Sequence, residues 1–312
     1  MGTVTELSAR SMAHRTETAA GFHRCWYPVC RSNDLDAGRP VGRDILGTRV
    51  VVYRVSTGKA VVQSAFCPHL GADLSGGEIV GELLRCPYHH WSFGADGRCA
   101  LIASGDKIPP RAQLFNYPTA EAWGLVWMFN GEAAEVDPPV LPDADPGDLV
   151  FAAHERGERR GHGWVAVSNG VDFQHLRTLH HLPAVAMPEQ LEVDSGGISY
   201  KIESPYFLQH GRISGTTTFA QHLRIGGVDS FMMFTGAPIE PGRNIGFYVV
   251  GVPKADAPRL AETKAMAERL MEEDRPVLEA IRFRRGLLTA SDRHMARYFK
   301  YVEEFPCFLP PD

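Results

Sequence analysis

The chain has 312 residues, of which 44% are hydrophobic and 22% charged, with a formal net charge of −5. This balance excludes wholesale disorder, collagen-like repeats and coiled coil, and it leaves no global basic footprint for nucleic acid. No apolar run reaches the roughly 18 residues that a membrane span requires, and Met1–Ala20 lacks the apolar core of a secretory signal, so a cytoplasmic location is expected.

The length suits two domains, and 31 Gly with 22 Pro point to many turns and a β-rich chain. Residues 1–20 read as a mobile lead-in. Arg49–Val55 and Ala60–Phe66 are β-branched runs separated by Ser56-Thr57-Gly58-Lys59, a hairpin signal. Leu125–Phe129 is a further strand, ended by Asn130-Gly131. The stretch VDPPVLPDADPG, beginning at Val136, is dense in Pro and Asp. It reads as the linker, over 136–148, between a first domain at 21–135 and a second at 149–312. His154–Gly163 reads as a polar, locally basic loop in which Arg159 and Arg160 could dock an acidic redox partner. Trp164–Ser168 reads as a strand and Val171–His181 as a helix. Strands are expected near Ile198–Glu203, Arg212–Ala220, Ser230–Ala237 and Ile245–Val252, with a hairpin turn at Glu240-Pro241-Gly242-Arg243. Ala257 to about Leu288 is the one long helical stretch, broken or kinked at Pro276. The expected class is α+β: a small all-β domain, then an antiparallel sheet with helix.

Six cysteines and 13 histidines carry the chemistry. Without a secretory signal, metal or plain burial is a better reading of the cysteines than a disulfide framework. Cys67-Pro68-His69 and Cys86-Pro87-Tyr88-His89 each offer one thiolate and one imidazole, and 16 residues separate His69 from Cys86. Structural zinc fingers usually pair like ligands within a knuckle. Mixed knuckles suit instead a [2Fe–2S] cluster in which two thiolates hold one iron and two imidazoles the other; a zinc ribbon is the competing reading. Pro68 and Pro87 stiffen the loop tips, Gly71 permits a tight approach, and Trp91 and Phe93 can shield the site from water.

The stretch CPHLGADLSGG, followed by CPYHHWSFGADGRC, resembles the Rieske domain of ring-hydroxylating oxygenases. Rieske proteins of respiratory complexes add a disulfide between the two loops. The matching positions here are Ala72 and Tyr88, so the resemblance is to the oxygenase or ferredoxin branch. It is nearest to the steroid and sterol branch, that of the 3-ketosteroid 9α-hydroxylase oxygenase and the cholesterol 7-desaturase. The run from Ser291-Asp292 to Tyr301 adds to that likeness.

A Rieske ferredoxin could end near residue 131, yet the chain continues into N169-G-V-D172-F-Q-H175-L-R-T-L-H180. His175 and His180 are five apart, so on an ideal helix they diverge by roughly 140° and shared ligation needs a distorted turn such as a π-bulge. Two His and one carboxylate form the facial triad of non-heme Fe(II) oxygenases. The segment resembles the family's Asn/Asp/Glu-x₂-Asp-x₂-His-x₄-His motif, with His181 a competitor for His180. The third ligand is expected from the helical stretch, with Asp274 favoured over Glu273 and Glu279. The resemblance implies that Asp172 hydrogen-bonds His175 and, across a subunit interface, His89, which requires a ring such as a homotrimer. It also places Asn169 near the iron.

The implied fold is an N-terminal all-β Rieske [2Fe–2S] domain followed by a C-terminal catalytic domain of antiparallel sheet plus helix, helix-grip-like. The implied cofactors are the cluster and a mononuclear Fe(II). No GxGxxG follows a strand, so NAD(P)H and flavin are expected only on a separate reductase, with or without a ferredoxin. The expected reaction is O₂-dependent monooxygenation of a hydrophobic polycyclic or aromatic molecule. N-oxygenation or O/N-demethylation is the alternative within the family, and a Rieske electron carrier the alternative outside it. Phe207, Phe219, Phe231, Met232, Met233, Phe234, Phe247 and Tyr248 are candidate pocket residues, and strand alternation predicts that about half of them face inward.

Overall fold

The computed structural model describes residues 17–18, 21–35, 38–182, 187–284 and 286–310. The expected lead-in, 1–20, thus lies outside the described residues except for two. Short β-branched runs and glycine turns divide the first half into small antiparallel sheets. The strands are β1 (Glu17–Thr18), β2 (Gly21–His23), β3 (Trp26–Arg31), β4 (Val41–Ile45), β5 (Thr48–Arg54), β6 (Ala60–Ser64), β7 (Glu78–Val80), β8 (Leu83–Arg85), β9 (Ser92–Phe93), β10 (Cys99–Leu101), β11 (Asn116–Tyr117), β12 (Thr119–Ala122) and β13 (Leu125–Phe129). They pair as β10-β9-β8-β7, β11-β6-β5-β4 and β12-β13-β3. The expected hairpin is β5–β6. Val50–Tyr53 are all buried because both faces of β5 are covered. Val50 and Val52 join one core, whereas Val51 and Tyr53 face the core that holds Cys67 and Cys86.

The second half is one seven-stranded antiparallel sheet. Its strands are β14 (Leu149–Arg160), β15 (Glu192–Asp194), β16 (Gly197–Ser204), β17 (Phe207–Ser214), β18 (Thr218–Ile225), β19 (Val228–Glu240) and β20 (Arg243–Pro253), in the order β14-β20-β19-β18-β17-β16-β15. Among the described residues it is accompanied by α1 (Gly163–Ser168), α2 (Phe173–Thr178), α3 (Leu260–Leu278) and α4 (Arg293–Glu304). Helix α3 packs Met266, Ala267 and Met271 on Met232, Tyr248 and Val250, and Tyr248 donates to Glu268 at 2.6 Å. Helix α4 presents Tyr298, Phe299 and Val302 to the core at i, i+1 and i+4. Its Tyr298 hydroxyl donates to the Trp164 carbonyl at 2.6 Å, which fixes α1.

The two halves share cores. Trp26, Trp127 and Phe129 pack with Ala220, Met233 and Phe247. After α4 the chain returns as β21 (Cys307–Phe308) to pair with β2. The buried Asn130 Nδ2 donates to the carbonyls of Phe22 at 3.0 Å and Phe308 at 3.2 Å. At the same seam, buried His23 Nδ1 lies 2.7 Å from Thr216 Oγ1.

Five expectations differ from the structure. His154–Gly163 is not a loop: most of it is the outer half of β14, whose only strand neighbour among the described residues is β20. An edge strand accepts charges on its open side, so its polarity concealed it. Trp164–Ser168 is helix α1 rather than a strand, its β-branched residues overruled by packing of Trp164, Val165 and Val167. Arg212–Ala220 is not one strand, because β17 turns into β18 through Gly215, whose backbone has φ 57°. The long helix ends at Leu278, and Pro276 sits in its last turn instead of breaking it. Helix α4 was not expected as a separate helix.

Candidate active site

The two loops carrying Cys-x-His and Cys-x-x-His are built alike. Cys67 N–H bonds the Ala72 carbonyl at 2.9 Å, Gly71 N–H returns to the Cys67 carbonyl at 2.8 Å, and Cys86 N–H bonds the Trp91 carbonyl at 2.8 Å. These bonds place both cysteines inside and both histidines outside. Cys67 and Cys86 are each 2% exposed and in no disulfide, while His69 and His89 are exposed. The imidazole rings meet edge to face at 4.6 Å, and Trp91 stacks on His69 at 4.6 Å and 4°. Phe93 lies fully buried behind the thiols. Burial pushes the Cys67 thiol up to about 11, so binding a cluster there must release its proton.

This donor set fits a binuclear cluster better than a zinc ion. The donors are sorted by kind, with the two thiols buried and the two imidazoles exposed and in contact with each other, as suits a cluster in which two thiolates hold one iron and two imidazoles the other.

The second constellation starts at a turn. Asn169–Val171 forms a 3₁₀ turn, pressed so close to the sheet that a Cβ on Gly170 would sit 2.6 Å from the Phe219 ring. Asp172 follows as the N-cap of α2: its Oδ1 accepts the N–H groups of Gln174 at 3.0 Å and His175 at 3.2 Å. Helix α2 closes with a wide turn, in which His180 N–H reaches the His175 carbonyl at 3.3 Å, an i→i−5 bond. Residue His181 then takes φ 54°. The distortion expected from the five-residue spacing is therefore present, and the rings of His175 and His180 lie 5.0 Å apart.

His175, His180 and Asp274 bring one donor atom each within 4.8 Å of one another; Glu279 and His181 do not join them. The free nitrogens are set by hydrogen bonds. His175 Nδ1 donates to the backbone carbonyl of Asp172, leaving Nε2. His180 Nδ1 donates to Glu273 Oε2 at 2.7 Å, leaving Nε2 directed at Asp274 Oδ1, 3.1 Å away. That Oδ1 is buried yet has no hydrogen bond: the close approach is not in N–H···O geometry. A ring nitrogen and a carboxylate oxygen at this distance can both reach one metal ion, since ligands about 2.1 Å from an ion and at right angles to each other lie ~3.0 Å apart. The residues present therefore fit a mononuclear ion held by two imidazoles and a carboxylate. Burial holds the His175 pKa below the usual imidazole value. Burial also pulls on His180, but Asp274 and Glu273 outweigh it and hold its pKa above that value.

These residues open onto a cavity of about 730 Å³ between the sheet and helices α1 to α3. Of the eight candidate pocket residues, Phe207, Phe219, Phe234 and Phe247 line it; Phe231, Met232, Met233 and Tyr248 pack in the cores. Asn169 lines it as well. Arg159 and Arg160 also border it; Arg159 is partly buried and Arg160 exposed. Sequence reasoning missed the orienting role of Glu273. It also missed Tyr200, Gln209 and Gln221 in the cavity wall, although each glutamine alternates with apolar residues on one strand face (Phe207-x-Gln209 and Phe219-x-Gln221-x-Leu223), a signal of a buried polar group.

Residues 25–118 match the Rieske [2Fe–2S] domain. Among curated proteins, the cholesterol 7-desaturase of Bombyx mori is 31% identical over 159 residues, covering 50% of this chain and 35% of that protein. The oxygenase component of 3-ketosteroid-9-alpha-monooxygenase from Rhodococcus rhodochrous is 34% identical over 171 residues, 53% of this chain and 45% of that one. The chain thus spans less than half the length of these relatives. Among solved structures, the NdmA QL mutant of Pseudomonas putida CBB5 with caffeine superposes with a TM-score of 0.78 at 21% identity, covering 90% of each chain. Dicamba monooxygenase bound to dicamba gives 0.72 at 23%, covering 91% of this chain and 98% of that one. Residues 25–118 are thus a Rieske [2Fe–2S] domain, and the chain as a whole has the fold of these solved structures.

Proposed function

We propose that the protein is a terminal oxygenase that uses O₂ and externally supplied electrons to oxidise a hydrophobic polycyclic or aromatic small molecule. The observation that carries this is the convergence of His175, His180 and the orphaned Asp274 Oδ1 on the wall of an apolar cavity. In this reading His175, His180 and Asp274 hold the mononuclear iron, and Cys67, His69, Cys86 and His89 hold the cluster. When bound, these groups supply one-electron transfer and O₂ activation. The chain supplies the rest. The Asp172 carbonyl and Glu273 fix the imidazole tautomers, Asn169 borders the reacting face, and the phenylalanines exclude water. Electrons come from a separate NAD(P)H-dependent flavin reductase, directly or through a ferredoxin, in the cytoplasm. The two domains fall at 21–135 and 149–312, joined by 136–148.

The exposed His89 on one subunit and the half-exposed Asp172 on another support a homotrimer in which the two approach. Asp172→Asn keeps a good N-cap but removes the charge. Slowed electron transfer with an unchanged melting temperature supports that contact, and unchanged transfer removes it.

Iron quantitation tests the function. Three irons per chain accord with an oxygenase, whereas two would reduce the protein to an electron carrier. N-oxygenation and O/N-demethylation would use the same ligands. Product analysis with a surrogate reductase and a panel of sterols, aromatic amines and N-methyl compounds separates them. No helix among the described residues is long and apolar enough to cross a membrane.

A further inference from the structure

Three polar side chains interrupt the apolar wall of the cavity. Tyr200, Gln209 and Gln221 are 3%, 4% and 6% exposed, come from adjacent strands β16, β17 and β18, and all line it. Tyr200 lies across the hairpin over Gly211, where a Cβ would strike its ring at 2.4 Å. This gap in the sheet surface leaves room for its ring, and its hydroxyl meets Gln209.

Their hydrogen bonds do not close. Gln209 Nε2 donates both its protons, to Tyr200 Oη at 3.1 Å and to Gln221 Oε1 at 2.9 Å. Gln221 turns its Nε2 to Met232 Sδ, a weak acceptor, and so offers Gln209 an oxygen that can only accept; the Gln209 atom facing it is therefore the nitrogen, and the carbonyl is what remains. Gln209 Oε1 is buried with no partner. Gln221 Nε2 has only a weak contact to Met232 Sδ, at 3.9 Å. A buried amide oxygen without a donor is costly and rare in native proteins. Gln209 itself is part of the cavity wall.

We infer that this cluster reads one polar group on an otherwise apolar ligand: an N–H or O–H that donates to Gln209 Oε1, as in a lactam, secondary amide or hydroxyl on a fused-ring skeleton. The inference rests on the cavity being the substrate site. It makes Gln209 a specificity residue, distinct from the iron ligands. A hydrocarbon analogue leaves the amide oxygen unpaired and binds more weakly, because a site built for a hydrogen bond rejects a ligand lacking it.

The test uses the iron-loaded, cluster-containing full chain and two bicyclic probes, 2-quinolinone and N-methyl-2-quinolinone, which share a skeleton and differ in the donor. Dissociation constants are measured by titration calorimetry. Wild type should prefer 2-quinolinone by on the order of tenfold, and Gln209→Leu should bring the ratio near one by weakening 2-quinolinone. Equal affinities in wild type, no binding of either probe, or an unchanged ratio in a folded Gln209→Leu overturn the inference. The wild-type ratio stands as a test even if the variant does not fold. Binding needs no turnover: a protein that discriminates the probes but holds two irons refutes the oxygenase reading and leaves the recognition intact.

Discussion

The two centres are built on opposite plans. At the loop tips the thiols are buried and the imidazoles exposed, so half of the donor set faces outward. In the second half the imidazoles and the carboxylate are partly buried on the wall of an apolar cavity, and hydrogen bonds from the chain fix each ring. An exposed imidazole edge suits a centre that exchanges electrons with another protein. An enclosed set suits one that must keep a reacting molecule away from water. The same residue type thus serves contact in one place and containment in the other, and the surrounding burial decides which.

The sharpest way to break this contrast is to remove one imidazole from each plan. His175→Ala is expected to abolish turnover and lower the iron count from three to two per chain, with the visible spectrum of the oxidised cluster intact. His69→Ala should do the reverse, eliminating that spectrum while the mononuclear ion remains. If either substitution empties both sites, the centres are not independent.

A smaller effect sharpens the containment plan. Glu273→Gln keeps a hydrogen-bond acceptor for His180 Nδ1 but loses the charge, and iron affinity should fall by roughly 10- to 100-fold. Glu279→Gln, outside the triad, should change it little. Equal losses in the two variants would mean that the Glu273–His180 bond has no special part in holding the ion.

The seam between the regions has its own signature. Burial holds His23 down at about 4, so the folded state prefers the neutral ring. The unfolded chain takes up a proton at about 6.5. The resulting stability is full above that value and is lost as pH falls from about 6.5 to about 4, by roughly 3 kcal/mol for this residue. Denaturant unfolding at pH 7 and pH 4.5 measures the loss, and His23→Gln should flatten that part of the profile. The smallest expected effect is Gly170→Ala. Its new methyl meets the Phe219 ring, and the melting temperature should drop by the equivalent of about 1–3 kcal/mol.

The sequence made some of this plain and hid the rest for identifiable reasons. The β5–β6 hairpin and the three long strands β16, β19 and β20 followed from β-branched runs and their turns. Strand β14 did not, because its outer half is a charged sheet edge. Helix α1 did not either, since local propensity pointed the other way and tertiary packing prevailed. The Cys and His loops were legible because their spacing constrains chemistry directly. The His175–His180 pair carried its own warning, a spacing no regular helix reconciles. The adjacent carboxylates were harder to separate: Glu273 and Asp274 reach opposite nitrogens of one imidazole, and only the three-dimensional course of α3 distinguishes them. The glutamine pair was visible as a break in strand patterning, but its unpaired oxygen was not.

The return of the chain through β21 has a practical consequence. Phe22 and Phe308 are partners in one small sheet, and Asn130 ties both to the end of the first half. A nick in the 136–148 segment would therefore yield two fragments that each lack a piece of the other's architecture. Produced separately, neither should behave as a finished domain; mixed, they should find each other and restore the whole, a basis for a split reporter read out by the colour of the cluster.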